Sequence, residues 1–393
     1  MNYISDNTQS IKHSKIRKMF NKALEYDNPI SFTIGEPDFT ASDNVVEATI
    51  RALKEGKSKY SENAGIKPLR EAISRYLERE CGLLYNSVDE ITVTTGAMGG
   101  IYQALKVTLN PGDEVIVSEP CWTNYAQQIK MCGGVPVSVP VDFENSFSLD
   151  PEKIERSITK STKAIMINSP CNPTGTVLSE EVLIKVANLA KKYDLLVFSD
   201  EVYKHIIFDE AKHISIASLP DMKERTLVFD SFSKTFAMTG FRVGYVAGPS
   251  EIISNITKLQ ENIAACVAMP CQYGAVEALE GGKEHLNMMV EQYEKRRNYI
   301  SERLSKMPYI KYEKSKGTFY AFISIKDTGM TSEEFAMKLL EKEQVVVVPG
   351  DAFGDFGEGY IRISFATSME NIKRGMDRIE SFLVNLKVWK SEA

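Results

Sequence analysis

From about residue 90 to residue 250, short apolar runs alternate with helix-period segments. EITVTT leads into GGIYQALKVTL, EVIVSE into NYAQQIKMC and KAIMIN into SEEVLIKVANLAKKY, and the apolar runs LLVFSD and TLVFDSF follow. That alternation predicts an α/β layer structure with a largely parallel sheet. The spacing predicts a helix over 179–193, with Ser179 as its cap and Glu180 and Glu181 suited to its positive start. Val182, Val186, Leu189, Ala190 and Tyr193 recur on the face expected to pack on the sheet. A longer pattern over about 283–306 places Leu286, Val290, Tyr293, Ile300 and Leu304 at helical spacing and is expected to link two domains. Beyond it, strand-like FYAFISI, VVVVPG and YIRISFA occur with the amphipathic segments SEEFAMKLLEKE and SMENIKRGMDRIESFLVNL, the pattern of a smaller α+β domain. The expected organisation is a large domain over 45–285 and a small one built from 1–44 and 286–393.

A length of 393 residues suits this division, because single cores rarely grow beyond roughly 250 to 300 residues. Hydrophobic residues at 43% and charged residues at 25% are ordinary for a globular chain and leave room for a sizeable core. A net charge of −6 argues against a nucleic-acid binder, and the basic run EKRRNYISERLSK, interrupted by Glu294 and Glu302, reads as a solvated helix face. The longest apolar run, AACVAMPC, falls far short of the roughly 20 residues of a membrane span. The six cysteines form no CxxC pair and the first twenty residues lack an apolar signal core, so free thiols and a cytoplasmic location are expected. None of the four histidines pairs with another His or Cys at ligand spacing, which predicts a metal-free mechanism.

Against this background SFSKTFAMTGFRVGY, residues 231–245, stands out. A buried strand ending at Ser231 delivers Lys234 to the carboxyl edge of the sheet, where ligands of open α/β folds bind. Burial and a nearby cation favour the neutral amine, the form that condenses with an aldehyde. Ser231, Ser233 and the planar fork of Arg242 suit a phosphate, while Gly240 and Gly244 let the backbone turn or approach closely. Aldehyde plus phosphate points to pyridoxal 5'-phosphate, although a strand-turn lysine followed by an arginine is also a common surface arrangement.

Four further stretches converge on the same chemistry. In TGAMGG the amides of Gly96, Ala97 and Met98 can meet a phosphate at a helix start, or simply make a strand-to-helix turn. In SPCNPTG, Pro173 keeps Asn172 out of helical geometry and turns it out from a strand end. LLVFSDEVY ends a buried strand on Asp200, a carboxylate that needs a cationic partner such as a pyridinium nitrogen, with Tyr203 three residues on. Arg362 in YIRISFA suits a substrate carboxylate, or a solvated strand face. Trp122 in EPCWTNY can stack on a planar ring, with Tyr125 nearby, or both can pack in the core.

Together with TIGEPDF, KYSENAGIKPLREAI, PGDEVIVSEP and VVVVPGDAFG, all in family order, these motifs resemble the class I/II aminotransferases, pyridoxal-phosphate enzymes of fold type I. The resemblance implies that Lys234 carries the cofactor as a Schiff base and then shuttles a proton, and that Asp200 pairs with the ring nitrogen. It further implies Asn172 and Tyr203 on the ring hydroxyl, Trp122 on the ring face, and Ser231, Arg242 and the Ala97 and Met98 amides on the phosphate. Arg362 and the Gly35 backbone would bind the substrate carboxylate, and Tyr60 would reach the phosphate of a partner in a homodimer. Where aspartate-preferring relatives often carry a lysine after the glycine pair, this chain has Met98, which weakens a strict aspartate preference and opens the donor range to aromatic or hydrophobic as well as aspartate-like amino acids, with 2-oxoglutarate as acceptor. An acetyl-diaminopimelate aminotransferase and a cysteine-S-conjugate β-lyase remain alternatives on the same fold. A regulator built on this fold needs a DNA-binding module, for which the segment before TIGEPDF is expected to be too short.

Overall fold

The computed structural model describes residues 15–386 together with Tyr3, Ile4, Gln9 and Ile11. The rest of the N-terminal segment assigned above to the small domain, His13 included, and residues 387–393 lie outside the described part. In chain order the strands are β1 (Ile30–Ser31), β2 (Ile91–Thr94), β3 (Glu114–Glu119), β4 (Val135–Pro140), β5 (Thr162–Asn168), β6 (Leu196–Asp200) and β7 (Thr226–Ser231). β8 (Gly244–Ala247), β9 (Lys311–Tyr312), β10 (Tyr320–Ser324), β11 (Val345–Val346), β12 (Val348–Pro349) and β13 (Tyr360–Ser364) follow.

Seven of these form the main sheet, in the order β2-β8-β7-β6-β5-β3-β4. β8 is antiparallel to both of its neighbours and the remaining pairs are parallel, so six strands point one way and β8 alone is reversed. The cause is visible in the sequence pattern. Ala164 and Met166 of β5 enter one hydrophobic cluster while Ile165 and Ile167 enter another, and Phe198 and Val197 of β6 divide in the same way. Side chains alternate across a strand, so continuous apolar runs are stable only where helices cover both faces. The helix Glu180–Lys192 is one such cover. The Ser179 hydroxyl accepts the Val182 amide at 3.4 Å, and Leu183, Val186, Ala187, Leu189 and Ala190 are buried. The expected stripe is thus centred between its two ends, with Tyr193 left half out of the core.

The C-terminal third builds a four-stranded sheet, β12-β13-β10-β9, and VVVVPG splits between two sheets. Its first half, β11, pairs in parallel with β1, tying the described N-terminal segment to this part of the chain, while β12 pairs with β13. All five residues of β13 are buried, so the solvated-face alternative for Arg362 does not hold.

The helix Glu284–Leu304 matches its expected span, but its basic run is not a solvated face. Arg297 is 0% exposed, with Nη1 and Nη2 on the two Asp209 carboxylate oxygens at 2.8 and 2.9 Å, and Arg296 is buried with Nη1 2.7 Å from Asp38. Intervening glutamates suggested solvent. The partners that bury these arginines come instead from loops distant in sequence, which helical spacing does not reveal.

Removing Asp209 leaves the Arg297 guanidinium buried with fewer acceptors. Asp209→Ala is expected to lower unfolding free energy by about 2 kcal/mol, measured by urea unfolding, whereas loss of an exposed i,i+4 pair such as Lys306 with Glu302 is expected to leave the unfolding curve almost unmoved.

Candidate active site

The carboxyl ends of β5, β6 and β7 and the start of the helix Gly96–Thr108 open onto one cavity of about 750 Å³. The cavity is lined by Lys234, Asp200, Tyr203, Asn172, Arg362, Trp122, Ala97, Met98, Ser231, Arg242 and Gly35 among others. Every site residue expected from the sequence is therefore here or immediately beside it, with one exception. Gly96 adjoins it through Arg242, and Tyr60, 84% exposed, lies on the surface outside it.

Lys234 sits in a single helical turn, Phe232–Thr235, directly after β7. Ser231 caps that turn by accepting the Ser233 amide at 3.1 Å, so one hydroxyl ends the strand and starts the turn. Lys234 Nζ donates to the Gly35 carbonyl at 2.5 Å. Burial, reinforced by Arg242 and Arg362 against an opposing pull from Glu36, pushes its amine down to about 8. Asp200, at the end of β6, is pushed up to about 6 by burial. Its oxygens accept the Tyr125 hydroxyl at 2.5 Å and the Val202 amide at 3.3 Å, both neutral donors.

The far wall holds Arg362. Its Nη1 donates to the Asn172 side-chain Oδ1 at 3.1 Å and its Nη2 to the Thr33 carbonyl at 2.6 Å, while its buried Nε has no hydrogen-bond partner among the described residues. The guanidinium carbon lies 4.3 Å from the Tyr320 ring centroid, and the Tyr320 hydroxyl lies 3.0 Å from that of Tyr203. Near the helix Gly96–Thr108 the backbone is laid bare by glycines. Gly96 has a φ of +65°, and a Cβ there would meet Arg242 Nη2 at 2.7 Å, while a Cβ on Gly244 of β8 would meet the Ala97 nitrogen at 2.6 Å. Only glycine lets these three segments meet.

A half-buried amine, a buried acid and a buried guanidinium facing one cavity, with a glycine-lined helix start beside them, can tether a carbonyl, hold a proton opposite it and bind a carboxylate. The family model for aminotransferase class I and II matches residues 27–379. The chain belongs to that family. It is a transaminase, moving an amino group from an amino acid to a 2-oxoacid. It is 43% identical to the aspartate aminotransferase of Pyrococcus horikoshii over 383 residues, 97% of each chain. It is also 40% identical to aromatic-amino-acid aminotransferase 2 of Thermococcus litoralis, covering 98% of this chain and 99% of that one. Among solved structures it is similar to the Thermus thermophilus aspartate aminotransferase with maleate, with a TM-score of 0.93 at 36% identity, covering 98% of this chain and all of that one. The mostly parallel sheet flanked by helices is the fold type I arrangement of these aminotransferases.

Sequence reasoning missed three residues of this aminotransferase's cavity or left them as packing. Tyr125 was placed only near the ring, yet its hydroxyl is the closest partner of Asp200. Asn168 ends β5, donating to the Asp200 carbonyl at 3.1 Å and accepting the Asn172 amide at 2.9 Å. An asparagine ending so apolar a run was a readable signal. Tyr320 had none, because nothing in FYAFISI singles out its hydroxyl.

The lowered Lys234 pKa has a sign. An amine at about 8 is largely neutral by pH 9, where a surface lysine stays charged. Modification of Lys234 in the cofactor-free protein by a small aldehyde, followed by peptide mass spectrometry after reduction, is expected to rise with pH and level off about one unit above pH 8.

Proposed function

We propose that this aminotransferase works with pyridoxal 5'-phosphate, taking aromatic or hydrophobic L-amino acids as donors and 2-oxoglutarate as acceptor in alternating half-reactions. The observation that carries the reading is the pairing, in one cavity, of an amine depressed by burial with an acid raised by burial whose own partners are neutral. The residues present fit that cofactor. Asp200 has room for a cationic N–H partner, the glycines at 96 and 244 bare a helix start beside Arg242, and Ser231 and Ser233 bring hydroxyls to the same wall.

Pyridoxal phosphate, when bound, supplies an aldehyde that carries the amino group and a ring that accepts electrons from the donor's α-carbon. Lys234 Nζ would hold that aldehyde and, when free, would take the α-carbon proton and return it. Asp200 would hold a proton on the ring nitrogen, and Tyr125 would keep the carboxylate oriented. Tyr203 and Asn172 would donate to the ring hydroxyl, and Trp122, set edge-on to Tyr125 at 5.2 Å, would stack on the ring. Arg242, Ser231 and the Ala97 and Met98 amides take the phosphate. Arg362 grips the donor's carboxylate, and the Asn172 carbonyl oxygen fixes the plane of its fork.

The apolar lining of the cavity would choose the donor. Ile16, Phe20, Ile34 and Met98 supply apolar surface to it. Apolar surface of this extent favours a hydrophobic side chain by roughly 1 to 3 kcal/mol.

A second copy of the chain completes the site in this reading. Val46, Ile50 and Leu53 are exposed on one face of the helix Asp43–Lys54 while Val45, Ala48 and Ala52 are buried on the other. An apolar face on both sides of a helix suits burial against a partner, and exposed Tyr60 then reaches the phosphate held by that partner. No helix among the described residues is long and apolar enough to cross a membrane. A cytoplasmic location is part of the same proposal, supported by the free cysteines among the described residues.

Lys234→Ala is expected to retain no covalent cofactor after borohydride reduction, read by intact mass, and to lose activity at least about 10³-fold. A wild-type-like mass adduct in that variant sinks the assignment. In a donor screen against 2-oxoglutarate, phenylalanine and tyrosine are expected to exceed aspartate in kcat/KM by roughly tenfold or more, and the reverse order overturns the reading of Met98.

A further inference from the structure

Tyr320 begins β10 opposite Ser364 of β13 and is buried with three functional groups around it. Its hydroxyl is 3.0 Å from that of Tyr203, and its ring lies beneath the Arg362 guanidinium at 4.3 Å. The same hydroxyl is wedged against the loop whose Gly35 carbonyl receives Lys234, since a Cβ at Gly35 would come within 2.3 Å of it. Its backbone carbonyl accepts the Ser315 hydroxyl at 2.5 Å, which fixes the start of the strand.

We propose that Tyr320 is a positioning residue: by donating its hydroxyl proton to Tyr203 it leaves the Tyr203 proton free for the bound cofactor, while its ring supports Arg362. The argument is one of proton counting. A phenol has a single proton, so of two hydroxyls at 3.0 Å only one donates to the other. If Tyr203 gave its proton to Tyr320 it would have none for a ligand. A cation over the face of Tyr320 draws electron density from the ring and makes Tyr320 the better donor of the two. The edge-on packing of the two rings, 5.9 Å apart at 76°, holds the hydroxyls in that contact. The inference rests on the reading that Lys234 carries the cofactor and Tyr203 serves its ring oxygen.

The test uses full-length holoenzyme. Tyr320→Phe keeps the ring beneath Arg362 and removes only the hydroxyl. A Tyr203 that donates less well to an anionic ring oxygen leaves the conjugated nitrogen at Lys234 more basic. The midpoint of the pH-dependent change in the cofactor's visible absorbance is therefore expected to rise by roughly 0.4 to 1 pH unit, the shift that losing one neutral hydrogen bond produces. The donor KM is expected to stay within about twofold, because the ring under Arg362 remains. In a Tyr203→Phe background the same change moves the midpoint no further. Superimposable titrations of Y320F and wild type, or an equal further rise on top of Y203F, overturn the proposal. If Y320F does not fold, 3-fluorotyrosine placed at position 320, a stronger donor of the same shape, is expected to lower the midpoint, and an unmoved midpoint overturns it. A wild-type protein that takes up no cofactor defeats the functional reading instead, whereas a normal wild-type titration with a silent variant defeats this inference alone.

Discussion

An amine and an acid share one cavity without pairing with each other, and the arrangement of the rest follows from that separation. An ion pair between Lys234 and Asp200 would satisfy both groups and leave neither available to a ligand. The chain prevents it by giving each a neutral partner, the Gly35 carbonyl for the amine and the Tyr125 hydroxyl for the carboxylate. Burial then acts on them in opposite senses, lowering the one pKa and raising the other, because in both cases the uncharged form is the one that low dielectric favours. A neutral amine is the form that condenses with an aldehyde, and a buried carboxylate raised towards neutrality for want of a cation is one that a ring N–H cation would return to its charged form.

Topology keeps those groups apart yet facing. Asp200 and Ser231 end adjacent parallel strands at the same edge of the sheet, with Ser231 two residues beyond the register partner of Asp200, Phe229. β8, the one reversed strand, runs back along β7 and brings Gly244 against the start of the helix Gly96–Thr108. That contact, which tolerates no side chain, brings the turn bearing Arg242 to the helix start. Arg362 arrives from the other sheet, across the cavity, and is held flat between Tyr320, Asn172 and the Thr33 carbonyl. The apolar wall that would choose the donor side chain comes from the helix Lys15–Ala23, through Ile16 and Phe20.

Much of this was legible in the chain because the signals were local. Apolar runs of β5, β6 and β7 ended on Asn168, Asp200 and Ser231, and polar residues terminating buried strands of an α/β layer mark the ligand edge. What was misread had partners far away in sequence. Arg296 and Arg297 looked solvated because Glu294 and Glu302 interrupt their basic run, yet Asp38 and Asp209 pair with them where they are buried. β8 lay unnoticed inside the stretch that carries Lys234, since Gly244, Tyr245, Val246 and Ala247 make a strand only when β2 and β7 flank them.

The sequence by itself determined the α/β class, the family and the identity of the amine, the acid and the guanidinium, because strand ends, glycines and family motifs are written in consecutive residues. Only the tertiary structure decided that Tyr125 serves Asp200, that Tyr320 joins Tyr203 to Arg362 and that the basic helix face is buried. Those facts depend on which hydroxyl or carboxylate meets which group across 75 to 258 residues of chain. No pattern of neighbours encodes a meeting at such separation, since burial and hydrogen-bond partners are properties of the packed core rather than of the segment that enters it.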